Sequence, residues 1–204
     1  MNISSKTAAI MAYGLAVIFS APASAQEYAP DAARLVTPAL IGQLRDMLST
    51  PVILMSIEAQ NDRRAGLKQA DIEALDAQWV RERKSDDQPL VAATLSSPAS
   101  SYLMQQQAGM LGLYASIFVV DSYGLNVGQS AVTSDYWQGD EAKFQKTFPV
   151  APDAVFVDKP EFDDTFKVWI VQVNLTLSEG GKAIGAATVD LNLTELARRS
   201  SAAY

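Results

Sequence analysis

The sequence predicts an α+β domain, in which long N-terminal helices pack on a central antiparallel sheet of about five strands. The first half of the chain places apolar residues such as Leu35, Leu44 and Leu48 at helical spacing. The second half alternates apolar and polar residues over residues 165–177 and then turns at Gly180-Gly181, which is typical of a β-hairpin. Helices followed by a run of antiparallel strands give the α+β class.

Three helices are expected before the first strand. The first covers residues 31–64, with a kink or break at Pro51 because proline lacks the backbone donor that a helix interior needs. The second covers residues 68–83, where Trp79 continues an apolar stripe and is interpreted as a core residue. The third covers residues 98–107, with a proline in its first turn.

The strands are expected where β-branched and aromatic runs are bounded by turn residues. The first two, residues 117–120 and 125–130, are joined by the tight-turn sequence Asp121-Ser122-Tyr123-Gly124. In chain order the other expected segments are a connection with one apolar piece at residues 85–97, a helix at 140–148, strands at 154–157, 165–177 and 183–193, and a terminal helix capped by Thr194.

A family resemblance is carried by the first hairpin and the loop after it. Residues 119–127 read V-x-D-x-x-G-x-x-V, and residues 133–141 read T-S-D-Y-W-Q-G-D-E. This pattern resembles the Cache family of extracytoplasmic sensor domains, which are related in shape to PAS domains, and the similarity extends over about residues 35–196. The resemblance implies reversible recognition of a small molecule outside the cytoplasm, without chemistry on it. Members of the family usually pass the signal through a membrane to a kinase, cyclase or chemotaxis module. This sequence departs from that pattern because it contains no such module, so we expect it to signal through a separate membrane protein.

The N-terminus has the features of a cleavable export signal. Lys6 provides a positive charge, residues 8–21 are apolar, and Ala23-Ser24-Ala25 matches the small-x-small cleavage pattern. An uncleaved membrane anchor is the alternative, but the apolar run is shorter than the roughly 20 residues that a spanning helix needs. We therefore expect a signal peptide at residues 1–25, cleavage after Ala25, and one periplasmic or secreted sensor domain at residues 26–204.

Composition restricts the chemistry. The chain has no cysteine and no histidine, which excludes disulfides, thiol nucleophiles and a Ser-His-Asp triad. Loss of Lys6 with the signal leaves 15 of the 16 basic residues against 23 acidic ones, a formal charge of 15 − 23 = −8. An acidic surface argues against nucleic acid as a partner, since phosphate contacts need clustered Lys and Arg. We expect a binding protein without a cofactor, not an enzyme.

Two chemical alternatives remain open at this point. Paired carboxylates can hydrolyse a glycoside, although nothing in the sequence pairs them convincingly. Calcium could be bound by Asp135, Asp140 and Glu141, although their spacing is not that of an EF-hand loop.

The candidate ligand site is centred on the loop after the first hairpin. Tyr136 and Trp137 supply flat apolar area that suits a ring or a cation, and Asp135 and Asp140 add anionic acceptors. Lys143 lies one helical turn beyond Asp140, so it could hold a ligand carboxylate or neutralise that aspartate. The Cache resemblance implies a pocket between the sheet and this segment, near Asp135, Tyr136 and Trp137.

Two polar residues in otherwise apolar strands, Gln172 and Asp190, complete the predicted site because such side chains need partners when buried. The predicted ligand is an amine, an amino acid or an organic acid. The predicted ligand-binding residues are Asp135, Tyr136, Trp137, Asp140, Lys143, Gln172 and Asp190.

Structural roles are the alternative for these residues. Trp137 could plug the sheet end, Asp135 could cap a helix that begins near Gln138, and Asp190 could point to solvent from a half-exposed strand. At the level of the whole chain, the alternative function is a structural or protein-interaction module that binds no small ligand. In that case the apolar face of the N-terminal helix could form a homodimer.

Overall fold

The computed structural model describes residues 28–202, so the predicted signal peptide at residues 1–25 lies outside the described residues. The N-terminal half of this part of the chain is helical, as predicted. Its six helices are α1 (Ala32–Leu35), α2 (Pro38–Leu48), α3 (Pro51–Arg63), α4 (Gln69–Glu82), α5 (Pro89–Leu95) and α6 (Pro98–Gly109). None of the helices in residues 28–202 is both long enough and apolar enough to cross a membrane.

Prolines set the start of four of these helices. Pro38, Pro51, Pro89 and Pro98 each stand in a first turn, where the missing backbone N–H is not needed. The break predicted at Pro51 is confirmed, because α2 ends at Leu48 and α3 begins at Pro51. The long helical segment of the prediction is therefore a series of short helices.

The second half forms one antiparallel sheet with two further helices. The strands are β1 (Tyr114–Val120), β2 (Asn126–Gln129), β3 (Val155–Val157), β4 (Glu161–Asp163), β5 (Val168–Glu179) and β6 (Lys182–Asn192), and the helices are α7 (Ala142–Gln145) and α8 (Leu193–Ala202). The strand order is β2-β1-β6-β5-β3, with β4 also paired to β5. The predicted α+β class is confirmed, with helices packed on an antiparallel sheet.

The Gly-Gly hairpin is confirmed in detail. Glu179 and Lys182 pair directly at the end of β5 and β6. Gly180 and Gly181 have φ of 56° and 78°, a left-handed conformation at both central turn positions that glycine adopts without a Cβ clash. This is the turn whose twist matches the twist of the flanking strands.

Alternation along the strands divides the sheet into two faces. The helix-covered face carries the main core, in which α2, α3, α6 and α8 pack on buried strand residues: Ile117, Val119, Val171, Val173, Leu175, Ala187, Val189 and Leu191. The opposite face, which we call the open face, has a smaller apolar cluster where α7 brings Phe144 onto Phe118, Val120 and Ala186. Beyond this cluster, the open face carries the polar side chains of Ser116, Gln172, Asn174, Thr188 and Asp190.

A separate apolar cluster joins α4 and α5 to the loop after β2. Trp79 is fully buried in it, so its interpretation as a core residue is confirmed. The indole Nε1 donates to the carbonyl of Thr133 at 3.0 Å. The ring of Trp79 lies 5.1 Å from that of Tyr136, centroid to centroid. This helix pair is thus attached to the sheet through the loop that carries the T-S-D-Y-W motif.

Four local predictions need correction. The apolar piece at residues 90–95 is the helix α5 rather than a connection, and the helix expected at residues 140–148 is only Ala142–Gln145. The sheet has a sixth strand, β4, which was missed because it is three residues long and pairs only with the start of β5. Thr194 does not cap α8: its hydroxyl accepts from the Trp169 N–H, and Asn192 Oδ1 accepts from the Glu195 N–H at 3.0 Å.

Candidate functional site

The seven predicted ligand-binding residues do not share one site. Lys143, Gln172 and Asp190 line a cavity of about 470 Å³ on the open face, which we call the open-face cavity. Tyr136 lines a different cavity of about 520 Å³ among the helices. Asp135, Trp137 and Asp140 line neither of these two cavities.

The floor of the open-face cavity is a row of polar side chains across three strands. Asp190 on β6 pairs with Ser116 on β1 and with Gln172 on β5, so all three residues stand side by side on the same face. The Ser116 hydroxyl donates to Asp190 Oδ2. This row depends on the strand register and follows from the alternation that places Ile117, Val189 and Val171 on the helix-covered face.

One carboxylate oxygen of Asp190 lacks a partner. Its Oδ1 is buried and has no hydrogen-bond donor among the described residues. A buried carboxylate oxygen without a donor is costly, because it has lost water and gained nothing in exchange. Asp190 as a whole is partly exposed and lines the cavity, so its role as a ligand-binding residue stays a prediction.

Charge around this cavity is mainly negative. Five carboxylates line it, from Glu141, Asp158, Glu161, Asp163 and Asp190, against two lysines, Lys143 and Lys159, which gives a formal balance of 2 − 5 = −3. Phe162 and Ile170 add apolar surface to the wall. An acidic cavity with one aromatic side chain favours a cationic ligand over an anionic one.

Lys143 has a local partner inside this cavity. Its Nζ lies 3.0 Å from Glu141 Oε2 and 3.3 Å from Gln138 Oε1, and it stands 5.4 Å from the centroid of the Phe118 ring. The prediction that Lys143 could neutralise Asp140 is wrong, because Glu141 takes that place and Asp140 is exposed. Lys143 remains at the cavity wall, within reach of a ligand.

The aromatic loop is fixed by α4. The backbone N–H groups of Tyr136 and Trp137 both donate to Asp76 Oδ1, at 2.8 and 3.0 Å. Trp137 Nε1 donates to the carbonyl of Tyr123 at 2.9 Å, which holds the indole against the first hairpin. Trp137 therefore closes the hairpin end, which agrees with the structural alternative for this residue.

Asp135 does not cap a helix. Its side chain accepts from the Ser134 hydroxyl at 2.7 Å, whereas its carbonyl accepts from Asn126 Nδ2, Thr133 Oγ1 and Gln138 Nε2. The nearest helix in the chain, α7, begins at Ala142. The loop around Asp135 is thus ordered mainly through its backbone.

Asp121 is a buried carboxylate that the prediction did not single out beyond its turn. Its oxygens accept from Gln60 Nε2 and from the N–H groups of Tyr123 and Leu125, each at 2.9 Å. Burial raises the pKa of Asp121, while these donors and the charge of Arg64 act in the opposite direction. Asp121 is part of the frame that links α3 to the first hairpin.

Sequence reasoning missed the acidic wall of the open-face cavity. Asp158 precedes β4, and Glu161 and Asp163 lie on β4, all within the sequence D-K-P-E-F-D-D. This run of carboxylates beside a proline turn was the available signal. No group of three or more side chains that could hold a metal ion occurs within residues 28–202, which leaves the calcium alternative at Asp135, Asp140 and Glu141 without support there.

No family model matches the chain, and no curated protein sequence matches it. Among solved structures, the sensory domain of the Campylobacter jejuni chemoreceptor Tlp3 with isoleucine bound is 14% identical, with a TM-score of 0.39, and the match covers 80% of this chain and 63% of that one. The ligand-binding domain of the Pseudomonas aeruginosa PAO1 amino acid chemoreceptor PctC with GABA is 18% identical, with a TM-score of 0.41 and coverages of 79% and 64%.

A third similar structure is the ligand-binding domain of the Pseudomonas fluorescens chemoreceptor CtaA with L-valine, at 14% identity, a TM-score of 0.39 and coverages of 81% and 67%. All three are ligand-binding sensory domains of receptors, the class that the Cache resemblance of the sequence implies. The chain thus spans less than two thirds of the Tlp3 and PctC domains. Likeness of this degree carries no information on the ligand, which must come from the side chains of this chain.

Proposed function

We propose that this chain is a sensory domain that binds a small molecule reversibly in the open-face cavity, and that the ligand carries a protonated amine. The observation that carries the proposal is Asp190, whose Oδ1 is buried beside the cavity without a donor. A ligand ammonium group in the cavity provides N–H donors and a compensating charge for this carboxylate. Amines and amino acids are the ligand classes with this group.

The surroundings of Asp190 support the same ligand class. Gln172, its neighbour across the strands, offers an amide that can orient a second polar group of the ligand. Lys143 on the opposite wall provides a positive charge for a carboxylate, as an amino acid would require. The excess of carboxylates around the cavity attracts cations and disfavours simple anions.

Export and signal output are part of the proposal. The N-terminal sequence supports removal of residues 1–25 after Ala25 and a periplasmic or secreted location. A domain of this kind reports its ligand through a membrane-bound partner protein. Mass spectrometry of the protein recovered from the native host tests removal of the signal peptide. We expect Gln26 at the mature N-terminus.

Three four-carbon probes test the ligand class. Butylammonium carries only the amine, butyrate only the carboxylate, and 4-aminobutyrate carries both. A ligand at about 100 times its dissociation constant stabilises the folded protein by about 2.7 kcal/mol. Each kcal/mol raises the unfolding midpoint of a domain of this size by about 2 to 4 °C. We expect thermal shifts of several degrees with butylammonium or 4-aminobutyrate that depend on Asp190, and no Asp190-dependent shift with butyrate.

The matched variants are Asp190→Asn and Asp86→Asn. Both remove one negative charge, but Asp86 is exposed between α4 and α5 and does not line the open-face cavity. Asp190→Asn should abolish the thermal shift, and Asp86→Asn should preserve it. Equal shifts for both variants would overturn the role of Asp190, and an Asp190-dependent shift with butyrate alone would overturn the ligand class.

A further inference from the structure

A second cavity, which we call the helix-side cavity, lies between α3, α5 and the edge strand β2. Its volume is about 520 Å³. Most of its wall is apolar, from Val52, Met55, Ala59, Leu90, Ala93 and Val127. A cavity of this size, mainly apolar with a few polar groups, is typical of a small-molecule site. It shares no lining residue with the open-face cavity.

The polar end of this cavity is built around Arg64. Its Nη2 donates to Tyr136 Oη at 2.8 Å, and its guanidinium carbon stands 5.2 Å from the centroid of the Tyr136 ring. These contacts fix the guanidinium at the cavity wall. Arg64 Nη1 is buried and has no hydrogen-bond acceptor among the described residues. A buried, charged donor without an acceptor is rare in proteins and marks a place for an anion.

The nearby carboxylate does not fill this role. Asp121 is fully buried behind Gln60, and Gln60 Nε2 donates to its Oδ2 at 2.9 Å. Asp121 therefore contacts the amide and the turn backbone rather than the cavity. All the charged side chains that line the cavity are basic, namely Arg63 and Arg64. The charge of this cavity is thus opposite to that of the open-face cavity.

We propose that the helix-side cavity is a second binding site, which takes an organic acid with an apolar body. The carboxylate pairs with the Arg64 guanidinium at the cavity wall, and the apolar body lies along α3 and α5 against Met55, Ala93 and Val127. The site is independent of the proposed function, because it uses none of the residues of the open-face cavity. The domain then recognises two chemically different ligands, an ammonium compound on one side and a carboxylate on the other.

Titration calorimetry with hexanoate and 1-hexanol separates the charge from the apolar chain. Both probes have the same six-carbon chain, and only hexanoate can pair with a guanidinium. We expect hexanoate to bind the protein at least about tenfold more tightly than hexanol, because one charge-assisted hydrogen bond contributes about this factor in affinity. Equal affinity for both probes, or no binding of hexanoate, would overturn the proposal.

Four variants test whether hexanoate binds in the helix-side cavity. Arg64→Gln should weaken hexanoate binding by at least about tenfold, because the amide cannot supply the charge. Ala93→Leu places extra side-chain volume in the cavity and should also weaken binding, whereas Ala92→Leu, at an adjacent exposed position outside the lining, should not. Asp190→Asn should leave hexanoate binding unchanged.

Circular dichroism shows whether each variant folds. If Arg64→Gln does not fold, Ala93→Leu and its control Ala92→Leu still test the site, because both alanines are exposed on α5. Hexanoate affinity that is unchanged in Ala93→Leu, or equally reduced in Ala92→Leu, would place the ligand elsewhere.

Discussion

The two faces of the sheet are made by the same strands and have opposite chemistry. Toward the helices, β5 presents Val171, Val173 and Leu175, which are all 0% exposed. Toward the open face, the same strand presents Gln172 and Asn174. Because side chains alternate along a strand, each residue contributes either to the core or to the polar face, never to both. The strand register therefore decides which residues of β5 pack in the core and which lie on the open face.

The open face itself contains a satisfied row and an unsatisfied one. Asn174 accepts from the Thr188 hydroxyl at 2.8 Å and donates to the Phe156 carbonyl at 3.1 Å. In the adjacent row, Asp190 keeps one oxygen without a donor. A buried polar network that is complete stabilises the fold, whereas an incomplete one has capacity for a ligand. Asp190 also lines the open-face cavity, which makes it the candidate binding residue of the two rows.

The largest effect is expected from truncation on the helix-covered face. Leu175→Ala leaves a cavity in the main core and should lower the free energy of unfolding by about 2 to 5 kcal/mol. Phe162→Ala, on the wall of the open-face cavity and 40% exposed, should cost clearly less because its ring already meets water. Urea denaturation measures both. A larger loss in the free energy of unfolding for Phe162→Ala than for Leu175→Ala would contradict the assignment of the main core to the helix-covered face.

Close packing of α6 on β2 gives the next effect. A Cβ at Gly128 would lie 2.6 Å from Ala99 Cβ and 2.9 Å from the Ser100 backbone nitrogen, so Gly128→Ala should destabilise by about 1 to 3 kcal/mol. Gly42→Ala is the matched control, since no atom lies within 4 Å of the added Cβ. In the helix interior it should stabilise by about 0.5 to 1 kcal/mol. The same sign for both variants would contradict this packing.

A smaller effect is expected at the start of α5, which forms one wall of the helix-side cavity. Glu82 accepts from the Leu90 and Val91 N–H groups at 2.7 and 3.0 Å. Glu82→Gln should cost about 1 kcal/mol, the usual value of a helix N-terminal cap. Glu73→Gln, on the exposed side of α4, should be neutral. Chemical denaturation compares the two, and equal stabilities would remove the capping role of Glu82.

The smallest effect is a pH dependence at α8. Hydrogen bonds from Arg198 and Arg199 lower the pKa of Glu195 from 4.5 to about 2. A carboxylate with a lowered folded-state pKa contributes stability above its unfolded pKa of 4.5, and that contribution is lost as the pH falls toward about 2. Glu195→Gln should flatten the acid side of the stability curve. An unchanged slope between these pH values would show that the ion pairs do not couple to folding.

Local signals made most of the fold predictable. Pro51 and Gly180-Gly181 act through backbone geometry alone, so the helix break and the hairpin turn could be predicted at these residues. The strand β4 could not be predicted in this way, because three residues have little preference of their own and pair only through β5. The start of α8 near Thr194 was predicted, but its cap was misassigned, because Asn192, still in β6, provides the cap in place of Thr194.

The site was predictable only in part, for a similar reason. Gln172 and Asp190 were recognisable as polar residues in apolar strands, but their position opposite each other depends on a register that the sequence does not state. The aromatic loop was interpreted as a pocket wall, whereas Asp76 of α4 fixes its backbone through a contact 60 residues apart in sequence. Such long-range docking decides which side chains reach a cavity.

Binding of an ammonium group in the open-face cavity is tested most directly by titrating butylammonium into the wild-type protein, Asp190→Asn and Arg64→Gln. If the open-face cavity recognises the ammonium group, Asp190→Asn should lose at least about tenfold in affinity, as expected for a charge-assisted hydrogen bond, and Arg64→Gln should bind like the wild type. Unchanged binding to Asp190→Asn, or a loss confined to Arg64→Gln, would contradict the assignment of the ligand to the open face.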